Sequence, residues 1–241
     1  MEHSKQHPEA AKQMSIAAKD NQSCVDCHKG IAHQLPDMSS GFRKQFEDMR
    51  LRADENSDGN TLYTLDMKPI YAAKGDKEPA GSLLPASEVK VLKRDGDWLE
   101  VQIVGWTETE GRQRVLSLLP GKRIFVSSIR DEVQKHAQTL EKTTVAATGA
   151  EWSKLQTTAW VQKGDLVNDI KPIWAYTSAL YTGTCNQCHG APDIAHFDAN
   201  GWIGTLNGMV GFTSLDKREE RTLLKYLQMN ASDTGGADQK H

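Results

Sequence analysis

Apolar positions along this chain change their rhythm three times. Between residues 5 and 19, Ala10, Ala11, Met14, Ala17 and Ala18 recur on roughly one helical face, with Pro8 near the start, which predicts a helix. Phe42, Phe46 and Met49 stand at i, i+4 and i+7 and predict a second, mostly polar helix over 39–54, opening at Ser39-Ser40. The turn-forming run Asp54-Glu55-Asn56-Ser57-Asp58-Gly59-Asn60 follows as a linker. From 61 to 129 the period shortens: Val89–Leu92, Trp98–Val104 and Arg123–Val126 read as strands. Asp95-Gly96-Asp97 is a tight hairpin between the first two of these. Residues 131–145 read as a connecting helix carrying His136, and Thr157–Val161 as a short extended piece. Helical spacing then returns over 169–181 (Ile173, Trp174, Leu180), 202–209 and 214–229 (Leu223, Leu224, Leu227), the last with Thr213 and Asp216 as candidate caps.

Several short strands at this spacing predict a small barrel of the SH3-like kind, with no ligand set in it and a structural or docking role. The expected architecture is mixed α+β and multidomain. A short helical segment with its linker helix occupies 1–60, the β-barrel-like domain 61–130, a connecting helix 131–155 and an all-α domain 156–241. One pentapeptide pattern repeats, Lys68-Pro69-Ile70-Tyr71-Ala72 against Lys171-Pro172-Ile173-Trp174-Ala175, and reads as coincidence.

Cysteine usage adds the chemistry. All four cysteines fall in two copies of one motif, Cys24-Val25-Asp26-Cys27-His28 and Cys185-Asn186-Gln187-Cys188-His189. C-x-x-C-H is the attachment signature of c-type haem. Two thiols on one turn reach the two vinyl groups as thioethers, and the adjacent histidine sits under the iron as proximal ligand. A single zinc site pooled from both copies meets two objections: the halves lie about 160 residues apart, and it leaves the histidine after each pair unexplained. Neither copy follows a strand in a βαβ context, as a thioredoxin-like dithiol would. The expected cofactor is therefore haem c with its iron, two per chain and covalent, held by Cys24, Cys27, Cys185 and Cys188, with His28 and His189 proximal. A helix, the motif, a loop and a closing helix in the last segment is similar, in element order, to a class I cytochrome c domain, so the all-α domain is expected to be class I-like.

Each iron needs a second axial ligand. A fully extended chain covers ~3.5 Å per residue, so His28 to His33 spans at most ~17 Å, about the path round the porphyrin edge. His33 therefore does not comfortably return to the haem of His28; it either ligates a different haem or is an ordinary loop histidine. For the second haem, His196 lies within ~25 Å of chain from His189. Met209 precedes the closing helix; it is either the distal ligand or a core methionine packed with Trp202 and Leu206. Both candidates stay open, and the choice matters because Met/His ligation raises the potential relative to bis-His.

Composition sets outer limits. A formal charge of −3 and a mixed surface argue against nucleic-acid binding. No stretch approaches the ~18 apolar residues of a membrane span, and Met1–Asn21 has no apolar core of a signal peptide. Covalent haem is attached outside the bacterial cytoplasm, so the expectation is a periplasmic chain whose export signal or anchor lies upstream of Met1.

The run Cys24-Val25-Asp26-Cys27-His28-Lys29-Gly30-Ile31-Ala32-His33-Gln34-Leu35-Pro36 resembles the fourth haem motif of the NapC/NirT family of membrane-anchored quinol dehydrogenases. The β-rich segment and further single-haem domain behind it resemble the TorC type of pentahaem cytochrome, as do Phe197–Trp202 through Met209 and Thr213-Ser214-Leu215. The resemblance covers nearly the whole chain, closely at 5–36 and 180–229 and loosely between. It implies an inner-membrane anchor and three haems upstream. Electrons would pass from menaquinol to the terminal haem and on to a periplasmic molybdenum-containing enzyme that reduces trimethylamine N-oxide or a related oxide. It also implies that His33 ligates an upstream haem. An electron carrier without substrate chemistry is the expected role. The other readings are a haem enzyme with an open coordination site, such as a peroxidase or small nitrite or oxide reductase, and a haem-based redox sensor.

Overall fold

A computed structural model of the chain describes residues 8–20, 40–53, 57–111, 113–187 and 190–235. The chain divides near residue 38 into two compact units. In the first, helix α1 runs Pro8–Lys19. It begins on a proline, the residue with no N–H to leave unbonded in the opening turn. Helix α2, Ser40–Leu51, opens the second unit. It buries Phe46 and half-buries Phe42 and Met49, the face that the apolar spacing marks.

The body of the second unit is one antiparallel sheet of ten strands: β1 Thr61–Thr64, β2 Lys68–Ile70, β3 Gly81–Leu83, β4 Glu88–Asp95, β5 Trp98–Glu108, β6 Val115–Ser117, β7 Phe125–Ile129, β8 Gln138–Thr144, β9 Glu151–Gln162 and β10 Leu166–Val167. The order is β10-β1-β4-β5-β6-β7-β3-β2, with β9 beside β5 and β8 beside β9. β5 alternates inward Leu99, Val101 and Ile103 with half-exposed Trp98, Glu100 and Gln102, the period-2 pattern of a strand with one buried face. Gly96, at φ +63°, supplies the left-handed step of the two-residue β4–β5 hairpin, in which Asp95 pairs with Trp98. The sheet rolls into a half-barrel (its curl pinned where Tyr71 and Trp160 exchange backbone hydrogen bonds of 2.8 Å each).

Two expectations fail here. Residues 131–145 form only one helical turn, α3 Asp131–Gln134, and then edge strand β8. β8 is exposed along nearly all its length, so it has no apolar alternation to betray it; its conformation comes from pairing with β9. The second failure is the fold class. β9 is twelve residues long and pairs with β5 from Trp98↔Gln162 to Glu108↔Trp152, so residue 156 falls inside the central strand pair. A small SH3-like barrel followed by an independent all-α class I-like cytochrome c domain is therefore not the architecture.

The C-terminal helices lie on the sheet instead. α4 is Lys171–Cys185, α5 Gly201–Val210 and α6 Lys217–Met229. One core joins Tyr181, Trp202, Leu206, Leu223 and Leu227 to Ile124, the residue before β7. Another joins Ile173, Tyr176 and Leu180 of α4 to Phe46 of α2 and to Leu65, Ala86 and Val167 from the sheet. Buried polar bonds repeat the connection: Lys225 Nζ donates to Ser87 Oγ at 2.7 Å, and Gln228 Nε2 donates to the carbonyls of Arg123 (3.1 Å) and Ala199 (2.9 Å). α6 begins with a capping box of Asp216 and Glu219; Thr213 instead bonds within the preceding turn. Among the described residues no helix is long and apolar enough to cross a membrane.

Candidate functional site: the segment around the second Cys-x-x-Cys-His

Cys185 is the last residue of α4, and its thiol lies half-buried against the helix core, with Ala191, Ile194 and Phe197. The helix stops there because the polar residues after Cys185 turn their side chains onto the backbone. Gln187 Nε2 reaches back to the Gly183 carbonyl at 2.7 Å, satisfying one of the acceptors that a helix end leaves open. Asn186 Oδ1 reaches forward and accepts the Ala191 N–H at 2.7 Å.

The segment beyond is tied down by aromatic donors. Tyr181, one turn before Cys185 on the same helix face, donates its hydroxyl to the Pro192 carbonyl at 2.6 Å. Trp202 Nε1 donates to the Ile194 carbonyl at 2.9 Å. Asp193 accepts the Ala195 N–H at 2.8 Å and starts a short 3₁₀ turn, Ile194–His196. Rings pack edge to face along this wall: Tyr181 on Trp202 at 6.3 Å, Phe197 on Trp202 at 5.0 Å, and His196 on Phe197 at 4.7 Å. Burial raises the Tyr181 hydroxyl to about 12, with Cys185 and Asp193 adding to it, so it remains a donor at any physiological pH.

His196 is exposed at the end of the 3₁₀ turn. Met209 is 47% exposed near the end of α5, whereas Trp202 and Leu206 of the same helix are buried. The reading of Met209 as a core methionine therefore fails: its side chain points away from the core that it follows in sequence. Phe212, just beyond, is 60% exposed. His136 is exposed in the turn between α3 and β8. Cys188 and His189 lie outside the described residues, as do Cys24, Cys27, His28 and His33 of the first motif.

The apolar surroundings of Cys185 suit a covalent haem. Burial raises the Cys185 thiol, which keeps it neutral in its apolar setting. A thioether carries no charge and loses nothing in the same apolar setting. Met209 and Phe212 leave apolar surface beside Val210, which packs on the same core as Cys185. A flat apolar macrocycle would cover surface of that kind. The sequence analysis named the motif and two candidate distal ligands but gave no role to Tyr181, Asn186 or Trp202, whose side chains tie down the segment beyond Cys185. For the first two the signal was present, as a hydroxyl four residues before Cys185 and an amide inside the motif.

Comparison with known proteins agrees with this chemistry. Residues 56–166 match the family described as the TorC third cytochrome c domain, and residues 1–38 match the N-terminal region of the NapC/NirT cytochrome c family. The chain is 79% identical to the cytochrome c-type protein TorC of Escherichia coli strain K12 over 98% of its own length and 60% of that protein's. It is 33% identical to the cytochrome c-type protein TorY of Haemophilus influenzae, over 97% of its own length and 62% of that protein's. A shorter match, 69% identical over 29 residues, joins it to the NapC protein of E. coli K12 over 12% of this chain and 14% of that one. No solved structure matches it. The chain thus spans about three-fifths of the curated relatives that it matches over nearly its whole length.

The two Cys-x-x-Cys-His motifs, together with these relatives, make the chain a c-type cytochrome, a class that binds haem c covalently. Within that class, the chain belongs to the TorC-type cytochromes, related at their N-terminal region to the NapC/NirT family.

Proposed function

We propose that this chain carries two covalent haems and relays electrons, in the periplasm, from the menaquinol pool to a terminal molybdenum-containing enzyme, the trimethylamine N-oxide reductase. The observation that carries the reading is the pair of Cys-x-x-Cys-His motifs, which uses all four cysteines, in a chain 79% identical to a TorC cytochrome. Cys24 and Cys27 hold the first haem with His28 proximal; Cys185 and Cys188 hold the second with His189 proximal. His33 belongs to a haem upstream of this chain, in a part that also carries the inner-membrane anchor. The distal ligand of the second haem is Met209 or His196, both exposed.

Haem iron supplies the redox step by passing between its ferric and ferrous states. The chain's own residues do the rest. The α4 end presents Cys185, the apolar wall of Phe197, Trp202 and Val210 keeps water from that side, and the sheet behind holds the helices still.

The test is direct. The pyridine haemochrome of the purified chain should give two haems c per polypeptide. The dithionite-reduced chain should then be reoxidised by trimethylamine N-oxide only when the molybdenum reductase is present. A chain that stays reduced sinks the relay assignment. A high-spin haem that binds carbon monoxide would assign that site substrate chemistry of its own.

A further inference from the structure

We propose that Glu219 takes up a proton when the second haem takes an electron, so that the added charge is balanced inside the helical core. The inference rests on the reading of Cys185 as a haem-attachment point. Glu219 stands in the first turn of α6 and is 1% exposed. Its Oε2 accepts the Asp216 N–H at 2.8 Å, while Oε1 and the Tyr176 hydroxyl of α4 are buried and make no hydrogen bond among the described residues. Charged groups reach this carboxyl from α6 and α2. Arg218 Nη2 lies 4.0 Å from Oε1 and 3.4 Å from Asp216 Oδ2, and Nη1 lies 4.0 Å from Glu47 of α2. One guanidinium is thus divided among three carboxylates, with Phe46 stacked under it at 3.5 Å. Burial raises the Glu219 carboxyl; the Asp216 N–H, Arg43 of α2 and Arg218 pull it down, and the Asp216 charge adds a smaller rise. The Tyr176 hydroxyl, raised by burial and then by the Glu219 charge, keeps its own proton. Glu219 is therefore the group of this cluster whose charge is least supported.

The cluster and the haem-bearing cysteine share a helix and a core. Tyr176 and Cys185 both belong to α4, nine residues or about 14 Å apart along its axis. Leu215 and Trp174 pack in the core that contains Cys185 and also in the core that contains Tyr176. Charges separated by apolar side chains interact more strongly than charges separated by water. Reduction adds one negative charge at the iron, which raises the proton affinity of Glu219. By reciprocity the neutral Glu219 favours reduction. The balance is one electron from the upstream donor to ferric iron, which becomes ferrous, and one proton from solvent to the Glu219 carboxylate. The potential of the second haem should then fall as pH rises between the pKa of Glu219 beside the oxidised haem and its higher pKa beside the reduced haem. Outside that range this contribution is flat.

The experiment uses the full chain, matured by a c-type cytochrome assembly system and titrated electrochemically across pH. Each haem is followed by its own paramagnetic resonance signal, so the first serves as internal reference. The wild type should show the fall for the second haem, and Glu219→Gln, whose amide cannot take the proton, should lose it. In the range of the fall, the reduced-minus-oxidised infrared spectrum of the wild type should gain the C=O band of a protonated carboxyl, absent from Glu219→Gln. Equal pH profiles in the two proteins overturn the proposal, as does a change shared equally by both haems. A wild-type infrared spectrum without the new band overturns it too, and that result needs no variant. A second haem that dithionite cannot reduce would instead overturn the functional reading, and the proposal with it.

Discussion

Glu219 shows what a single side chain does in this protein. It is 1% exposed, and its Oε2 accepts the Asp216 N–H at 2.8 Å as half of the α6 capping box. Its other oxygen, 4.0 Å from the Arg218 guanidinium, and the Tyr176 hydroxyl are both buried and make no hydrogen bond among the described residues. Burial raises the Glu219 carboxyl; the Asp216 N–H that it accepts pulls against the rise, the Asp216 charge adds a smaller rise, and Arg43 and Arg218 lower it. The folded state therefore binds the proton more tightly than the unfolded state does. Below the ordinary value of 4.5 the group is protonated in both states and its charge costs nothing. As pH rises from there toward the raised folded value, stability falls, and the loss is complete above it. Glu219→Gln keeps an acceptor for Asp216 and gains an amide donor toward Tyr176. It should unfold a few degrees higher than the wild type at pH 7, with the difference gone by pH 4. Melting curves across pH check this; an equal difference at both pH values would mean that charge is not the cause.

At the scale of elements, the close approach of β3 to β7 depends on one glycine. Gly81 sits at φ +147°, where a side chain is strained, and a Cβ there would overlap the Ser128 carbonyl oxygen. Gly81→Ala should destabilise the second unit by about 3 kcal/mol through strain and displacement of the strand pair. At this chain length that is roughly 6–12 °C in Tm. Denaturant unfolding reads the loss, and a variant within about 0.5 kcal/mol of the wild type would show that β7 yields easily. β8 makes the complementary point. Its strand state was illegible because its own residues carry no period, and its partner β9 supplies it.

At the scale of the molecule, the sheet and the C-terminal helices share their cores. Ile124, Leu65, Ala86 and Val167 belong to the sheet side, yet they pack with Leu227, Tyr176 and Leu180. Arg50 of α2 adds a tie, donating to Asp165 at 2.6 Å in the turn before β10. A fragment of residues 156–241 cuts β9 and removes all of these sheet residues except Val167. It should lack a cooperative thermal transition, whereas residues 39–241 should melt as one unit. Circular dichroism separates the two outcomes, and a cooperative melt of the short fragment would disprove the shared core.

What the amino-acid sequence determined by itself is the chemistry and the strongly periodic elements. Two thiols and a histidine within five residues meet one haem through local geometry alone, so the motif is legible without a fold. The same holds for α2, β5 and α6, whose apolar spacing matches the face each buries. The tertiary structure decided the rest. Lys68-Pro69-Ile70 is strand β2 and Lys171-Pro172-Ile173 is the first turn of α4, although the three residues are identical. Strand pairing with Gly81–Leu83 fixes the first, and packing of Ile173 with Phe46 and Leu65 fixes the second. Pairing of β5 with β9 likewise turned an apparent domain boundary into the middle of a sheet. Local propensity is worth tenths of a kcal/mol per residue, and the burial of a large apolar side chain about 2 kcal/mol, so where the two compete the distant partner wins.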